Sequence, residues 1–180
     1  MQNNFLDNSL KSLNLKTPPI FDKEEQAKYV KDWREQYVGQ AVAVLRPVNT
    51  KEVSSILKFA HKNKIDVVPQ GGNTSLCGAA TPDQSGKSII ISLEKMNNVR
   101  AFNKEAQTIT VDSGMILSKI HEIVEEQNLF FPISLGAQCY CIIGGHLSTN
   151  AVWVNVLTYR NRIELCFGLE IYLHDDKITV

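Results

Sequence analysis

An α+β or α/β fold is predicted for this chain by three features of its residue pattern. Short apolar runs recur along it, each closed by turn-forming residues, as strands require. Between them lie segments whose apolar residues repeat with the helical period. Two Gly-Gly pairs, in PQGGNTSLCG (69–78) and IIGGHLSTNA (142–151), each follow a strand-like segment.

The elements follow in order. Residues 24–35 are charged and are predicted to be helical. AVAVLRP (41–47) is a short strand ended by Pro47, which cannot donate to a ladder. Asn49 followed by Glu52 has the spacing of a capping box and predicts a helix start. Val53, Ile56, Leu57 and Ala60 then share one helical face. IDVVP (65–69) is a buried strand leading into the first glycine cluster, and SIIIS (88–92), NVRAF (98–102) and QTITV (107–111) are three more. Ile116, Leu117, Ile120, Ile123, Val124 and Gln127 predict a helix over residues 115–127. ELCFGLEIYL (164–173) and KITV (177–180) are expected to pair as a hairpin around His174, Asp175 and Asp176. No repeat or flexible linker divides the chain, so it is expected to hold an N-terminal extension (1–30) and one domain (31–180).

Composition narrows the function classes. With 180 residues, 43% of them hydrophobic and 21% charged, the chain can bury one ordinary globular core. Nineteen basic residues balance nineteen acidic ones, so no global field recruits nucleic acid or an anionic membrane. No apolar run reaches the ~20 residues of a membrane span, and the N-terminus lacks a secretory signal pattern. A cytoplasmic protein is expected. The four cysteines include one C-x-C (Cys139 and Cys141), with no second ligand pair to complete a metal site. They are expected to be reduced, structural thiols.

Familiar nucleotide and nucleophile motifs do not account for the glycines. Ser85-Gly86-Lys87-Ser88 imitates the end of a phosphate-binding P-loop, but the earlier glycine that loop needs is Thr81, and a strand follows where a helix is required. No G-x-G-x-x-G, H-E-x-x-H or G-x-S-x-G occurs. What remains is chemistry the clusters supply unaided. Glycine allows positive φ and close ligand approach, so consecutive glycines can aim several N–H groups at one anion. Asn73, Thr74 and Ser75 add donors in the first cluster, and Ser148, Thr149 and Asn150 in the second. Each cluster alone also fits a plain tight turn. Together they point to an extended, phosphate-bearing ligand.

The same stretches carry a family resemblance. VVPQGGNTSLCGAA, SLEKMNNVRAFNKEAQTITVDSG, LFFPISLGAQCYCIIGGHLSTNA and LCFGLEIYL, with DWREQYVGQAVAVLRP before them, are similar to the FAD-binding domain of flavin-linked D-2-hydroxyacid dehydrogenases. These enzymes belong to the vanillyl-alcohol-oxidase superfamily with its PCMH-type fold, which clamps FAD between two α+β subdomains. The resemblance covers residues 30–180. It implies that Gln70, Gly71, Gly72, Asn73, Thr74 and Ser75 surround the pyrophosphate, and that Pro132, Gly136 and Ala137 lie beside the flavin or ribityl chain. Gly144, Gly145, Thr149, Asn150 and Ala151 would form the opposite wall, with Gly168, Glu170 and Ile171 near the adenine half.

Departures from the family pattern bear on activity. Its T-N-A-G-G sequence continues here as Asn150-Ala151-Val152-Trp153, and Asn161 replaces a further glycine. His146 stands where an asparagine is usual, in a position that does not match covalent flavin attachment. The family's substrate domain, with its metal-binding histidines and carboxylate-gripping basic residues, has no counterpart in the sequence, so the domain is read as truncated. No catalytic or metal-ligating residue is therefore assigned. The expected function is that of an FAD-binding fragment, not competent alone, that requires a separately encoded C-terminal substrate domain. The alternative is a degenerate non-catalytic remnant or an interaction domain that no longer binds flavin.

Overall fold

The computed structural model describes residues 2–134, 136–151, 165–172 and 178–179. Three short parallel strands, β1 (Val44–Leu45), β2 (Val67–Gln70) and β3 (Ile89–Ser92), form a sheet in the order β1-β3-β2. Val44 aligns with Ile90, and Val67 with Ile89. The central strand is buried throughout because a parallel sheet is covered on both faces. Alternation along the strands divides the core in two. Ala43, Leu45, Ile89 and Ile91 pack with Leu10, Ile56 and Ala60 on one side. Val44 and Ile90 pack with Ile20, Tyr29 and Ala41 on the other.

Helices α1 (Gln2–Lys11) and α3 (Thr50–Asn63) cover the first side, and α3 links β1 to β2. The N-cap half of the capping box at α3 is present: Glu52 N–H donates to Asn49 Oδ1 at 2.9 Å, while the Glu52 carboxylate accepts from the N–H of Val48, one residue before the cap, at 3.0 Å. Leu10 and Ile20, within the stretch expected to be an extension, are buried in these cores, and Ile20 bridges to Val44.

The helix expected over 24–35 is a correction. Only α2 (Lys23–Gln26) forms, capped by Asp22. Asp32 turns the chain instead: its carboxylate accepts from the N–H groups of Arg34 and Tyr37, and Glu35 takes a left-handed φ of 56°. A side chain that bonds nearby amides in this way offers the backbone an alternative to the helix.

The second half begins with the antiparallel pair β4 (Val99–Asn103) and β5 (Thr108–Val111), bulged between Val99 and Ala101. Helix α4 (Leu117–Glu125) buries Leu117, Ile120 and Val124 in a third cluster with Met115, Ile133, Cys141 and Ile143. Strands β6 (Ile171–Tyr172) and β7 (Ile178–Thr179) pair antiparallel, as the hairpin expectation requires, with the turn residues 174–176 outside the described residues. The second glycine cluster is not a loop: Ile143–Thr149 is the short helix α5. The result is two α+β halves whose glycine segments face each other.

Candidate functional site

The first cluster leaves the sheet at Gln70 and is pressed at once against the segment that enters α5. A Cβ on Gly71 would lie 2.9 Å from Ile142 Cγ1 and 3.8 Å from the Gly145 Cα. A Cβ on Gly72 would coincide with the Tyr140 carbonyl, and one on Gly144 would lie 2.8 Å from the Ser113 carbonyl oxygen. Close backbone approach explains these three glycines. Positive φ does not: the left-handed residues of the two clusters are Asn73 (φ 52°) and Asn150 (φ 44°), together with Gly78 (φ 67°). Both asparagines tolerate that region through their short polar side chains. Of the two properties glycine offers, close approach is used at these pairs and positive φ is not.

The loop that results exposes its amides. Among the described residues, no protein acceptor receives the backbone N–H of Gly71, Gly72, Asn73, Thr74 or Ser75. The N–H of Gly145, adjoining Gly71, is in the same position. All five loop residues are half-buried. Polar backbone out of bulk water needs a partner, so a run of free donors beside a cavity suits an anion.

The side chains behave differently. Gln70 is buried and its amide donates to the carbonyls of Tyr29 and Ala80, both at 2.8 Å. Asn73 Nδ2 donates to Lys31 O at 2.7 Å, which ties the loop to the turn at Asp32. Ser148 and Thr149 donate to the carbonyls of Gly144 and Gly145, each at 2.8 Å, and His146 is buried within α5. Scaffolding therefore occupies most of the polar groups expected to be ligand donors. Ser75 Oγ lies 3.1 Å from the Cys77 thiol, whose pKa this hydroxyl lowers.

A cavity of about 250 Å³ opens beside the loop, lined by Gly71–Asn73, Ser92, Glu94, Gly114, Ile116, Cys139, Tyr140 and Ile142. Lys28 and Tyr29 separate it from a larger one of about 470 Å³ that includes Lys31 and Arg46. The larger cavity is the weaker ligand site because its cations already have partners. Lys31 pairs with Glu35, Arg46 approaches Glu94 at 3.6 Å, and Lys28 lies over the Tyr29 ring. Tyr29 Oη donates to Glu94 at 2.8 Å, and burial followed by this bond raises the phenol pKa. Sequence reasoning missed Tyr29, Glu94 and Tyr140: the first lies outside the stretches that carry the resemblance, and the other two lie within them with no motif role.

The remaining expected residues are dispersed. Pro132 is half-buried, and Ala137 packs on the α4 core. Gly136 and Gly168 have open space where a Cβ would stand. Ala151 N–H closes the end of α5 on the His146 carbonyl. Ile171 pairs with Thr179. Glu170 bonds Arg100 Nη1 at 2.5 Å, while Arg100 Nε bonds Asp112 at 2.6 Å, so its carboxylate fastens this segment to β4. Val152, Trp153 and Asn161 lie outside the described residues.

Comparison with known proteins gives this geometry a lineage. The pattern described as the FAD binding domain matches residues 41–180. The chain belongs to this family. FAD is accordingly the cofactor of the domain. The chain is 37% identical over 155 residues to a D-2-hydroxyglutarate–pyruvate transhydrogenase of Saccharomyces cerevisiae, covering 86% of this chain and 31% of that one. It is 34% identical over 166 residues to a D-2-hydroxyglutarate dehydrogenase of Xanthomonas citri pv. viticola, covering 92% and 34%. Among solved structures, an alkyldihydroxyacetonephosphate synthase superposes with a TM-score of 0.80 at 18% identity over 91% of this chain and 32% of that one. A Phl p 4 variant, a glucose oxidase, gives 0.79 at 15% identity over 96% and 37%. Those likenesses establish the PCMH-type fold. The chain spans about a third of the length of the curated relatives it matches. No helix among the described residues is long and apolar enough to cross a membrane.

Proposed function

We propose that this chain is the cofactor-holding part of a flavin-dependent 2-hydroxyacid dehydrogenase of the D-2-hydroxyglutarate or D-lactate type. The observation that carries this reading is the run of acceptor-free amides from Gly71 to Ser75, with Gly145 adjoining Gly71 and a cavity lined by Gly71, Gly72 and Asn73 beside them. These donors hold the FAD pyrophosphate; they need no cation, since several aligned N–H groups stabilise an anion together. Asn73 ties the loop to Lys31 O, and the Tyr140 carbonyl packs where a side chain on Gly72 would stand. Gly136 and Gly168, with open space where a Cβ would stand, leave room for the rest of an elongated ligand. When bound, the flavin supplies acceptance of a hydride from the 2-hydroxy acid.

Oxidation also needs groups that grip the substrate carboxylate and take the hydroxyl proton. Among the described residues no group of three or more His, Cys, Asp or Glu residues could hold a metal ion. On this reading a substrate domain outside residues 1–180 supplies those groups. A second reading, a non-catalytic remnant, is favoured by one observation: the cavity of about 250 Å³ is smaller than the ~300–1,000 Å³ usual for ligand pockets.

The purified chain, mixed with FAD and desalted, decides between them. On the first reading calorimetry gives a dissociation constant of about 1 µM or weaker, and a flavin spectrum is retained in proportion. No heat at millimolar FAD and no flavin band would leave only the second.

A further inference from the structure

Two large aromatic side chains stand uncovered at the lip of the glycine cavity. Tyr140 lines it and is 62% exposed; Trp33 lies beside it, 58% exposed, with ring centroids 5.7 Å apart and planes tilted by 50°. Neither is held by burial of its ring. Tyr140 is positioned by its backbone, whose carbonyl closes on Gly72, while Trp33 sits in the turn built by Asp32. Asn73 ties that turn to the glycine loop through Lys31 O. The loop that presents the free amides therefore also fixes both rings. Exposed aromatic surface of this kind marks a contact site, and the two rings pack as a tilted pair that leaves ring surface of each bare to a flat group.

We propose that Trp33 and Tyr140 form an aromatic wall that stacks a planar heteroaromatic ring of a nucleotide whose pyrophosphate sits at Gly71–Ser75. This rests on the reading of that loop as a pyrophosphate cradle. The ring is either the adenine or the isoalloxazine of FAD, since both present a flat π-face at the end of a pyrophosphate. Stacking on Trp33, with Tyr140 against the ring edge, covers the surface the protein leaves bare. The cavity then needs to enclose only the polar middle of the ligand.

The test uses the full chain and its two tryptophans, Trp33 and Trp153. With Trp153→Phe in place, Trp33 emission is followed during titration with FAD, ADP and inorganic pyrophosphate, with affinities measured in parallel by calorimetry. The expected result is that FAD quenches Trp33, while pyrophosphate binds and competes with FAD without quenching. Quenching by ADP as well assigns the adenine; quenching by FAD alone assigns the isoalloxazine. Energy transfer to a flavin also dims distant indoles, so the affinity series carries the decision. Trp33→Ala weakens FAD binding by about tenfold, the scale of base stacking on an aromatic ring, and leaves pyrophosphate affinity unchanged. Trp33→Phe stays close to the parent. Trp33→Leu keeps apolar bulk without the π-face and replaces the alanine variant if that fails to fold. Equal FAD affinity in all three variants, with pyrophosphate still binding, overturns the aromatic wall and spares the cradle. Absence of both pyrophosphate and FAD binding overturns the two together.

Discussion

Gly72 and Gly145 are each half of a glycine pair, yet the structure needs them for different reasons. At Gly72 a side chain would occupy the place of the Tyr140 carbonyl, a backbone atom that cannot swing aside. Gly72→Ala is expected to cost about 1–3 kcal/mol, the range for overpacking. That is a fall of several degrees in thermal midpoint at roughly 2–4 °C per kcal/mol. At Gly145 the nearest neighbour to a Cβ is Ile142 Cγ1 at 4.0 Å, and φ is not positive. Gly145→Ala should melt no lower than the parent, since alanine is favoured over glycine in a helix by ~1 kcal/mol. On the proposed reading it should nevertheless bind FAD more weakly, because the added methyl would stand where the ligand approaches the backbone. Loss of stability in Gly145→Ala, or undiminished FAD affinity, would show that the glycine serves packing alone. The clusters themselves were legible in the sequence because glycine pairs are conspicuous. The division between close approach at Gly71, Gly72 and Gly144 and left-handed turns at Asn73 and Asn150 was not. It depends on which segment faces which, and that is a long-range fact.

Elements followed the same rule. Strands β2 to β5 and helices α3 and α4 fall where the periodicity puts them, because each buries a face that local spacing defines. The failures lie where a side chain diverts the backbone, as Asp32 does, or where neighbours impose a helix. In α5, Ile143 and Gly144 donate to the carbonyls of Met115 and Ser113, contacts no window of sequence contains. The β4–β5 pair shows a charge device of the same kind. Asp112 accepts from Asn98 and from Arg100, and Arg100 reaches on to Glu170. Burial by itself raises the Asp112 pKa, but the bonds from Asn98 and Arg100 outweigh it and hold the carboxyl below its ordinary value. A carboxylate depressed in the folded state contributes stability that is complete above the unfolded pKa and is lost as pH falls through the folded one. Urea midpoints should therefore decline below about pH 4. Asp112→Asn should unfold earlier at neutral pH and show a shallower decline in acid. Parallel pH curves for the two proteins would remove Asp112 from the acid response.

At the scale of the molecule, the proposed cofactor region lies on a seam. The first half contributes Gly71–Ser75 from the end of a parallel sheet, and the second contributes Tyr140, Ile142 and Gly145 from the approach to α5. Each half has its own buried cluster, one around Ile89 and Ile56, the other around Ile120 and Ile143. A dinucleotide held across the seam binds the joined state and has no comparable site on the unfolded chain, so mass action stabilises the whole. At a ligand concentration of 100 times the dissociation constant that linkage is worth about 2.7 kcal/mol. For a chain of this size the corresponding rise in thermal midpoint is roughly 5–10 °C. Inorganic pyrophosphate, which engages the loop but extends to neither ring site, should give a smaller rise when compared at equal millimolar concentration. A melting curve unmoved by FAD under conditions where calorimetry shows saturation would mean that the ligand binds folded and unfolded chain alike. That outcome would exclude a site built jointly by the two halves, because no such site survives unfolding.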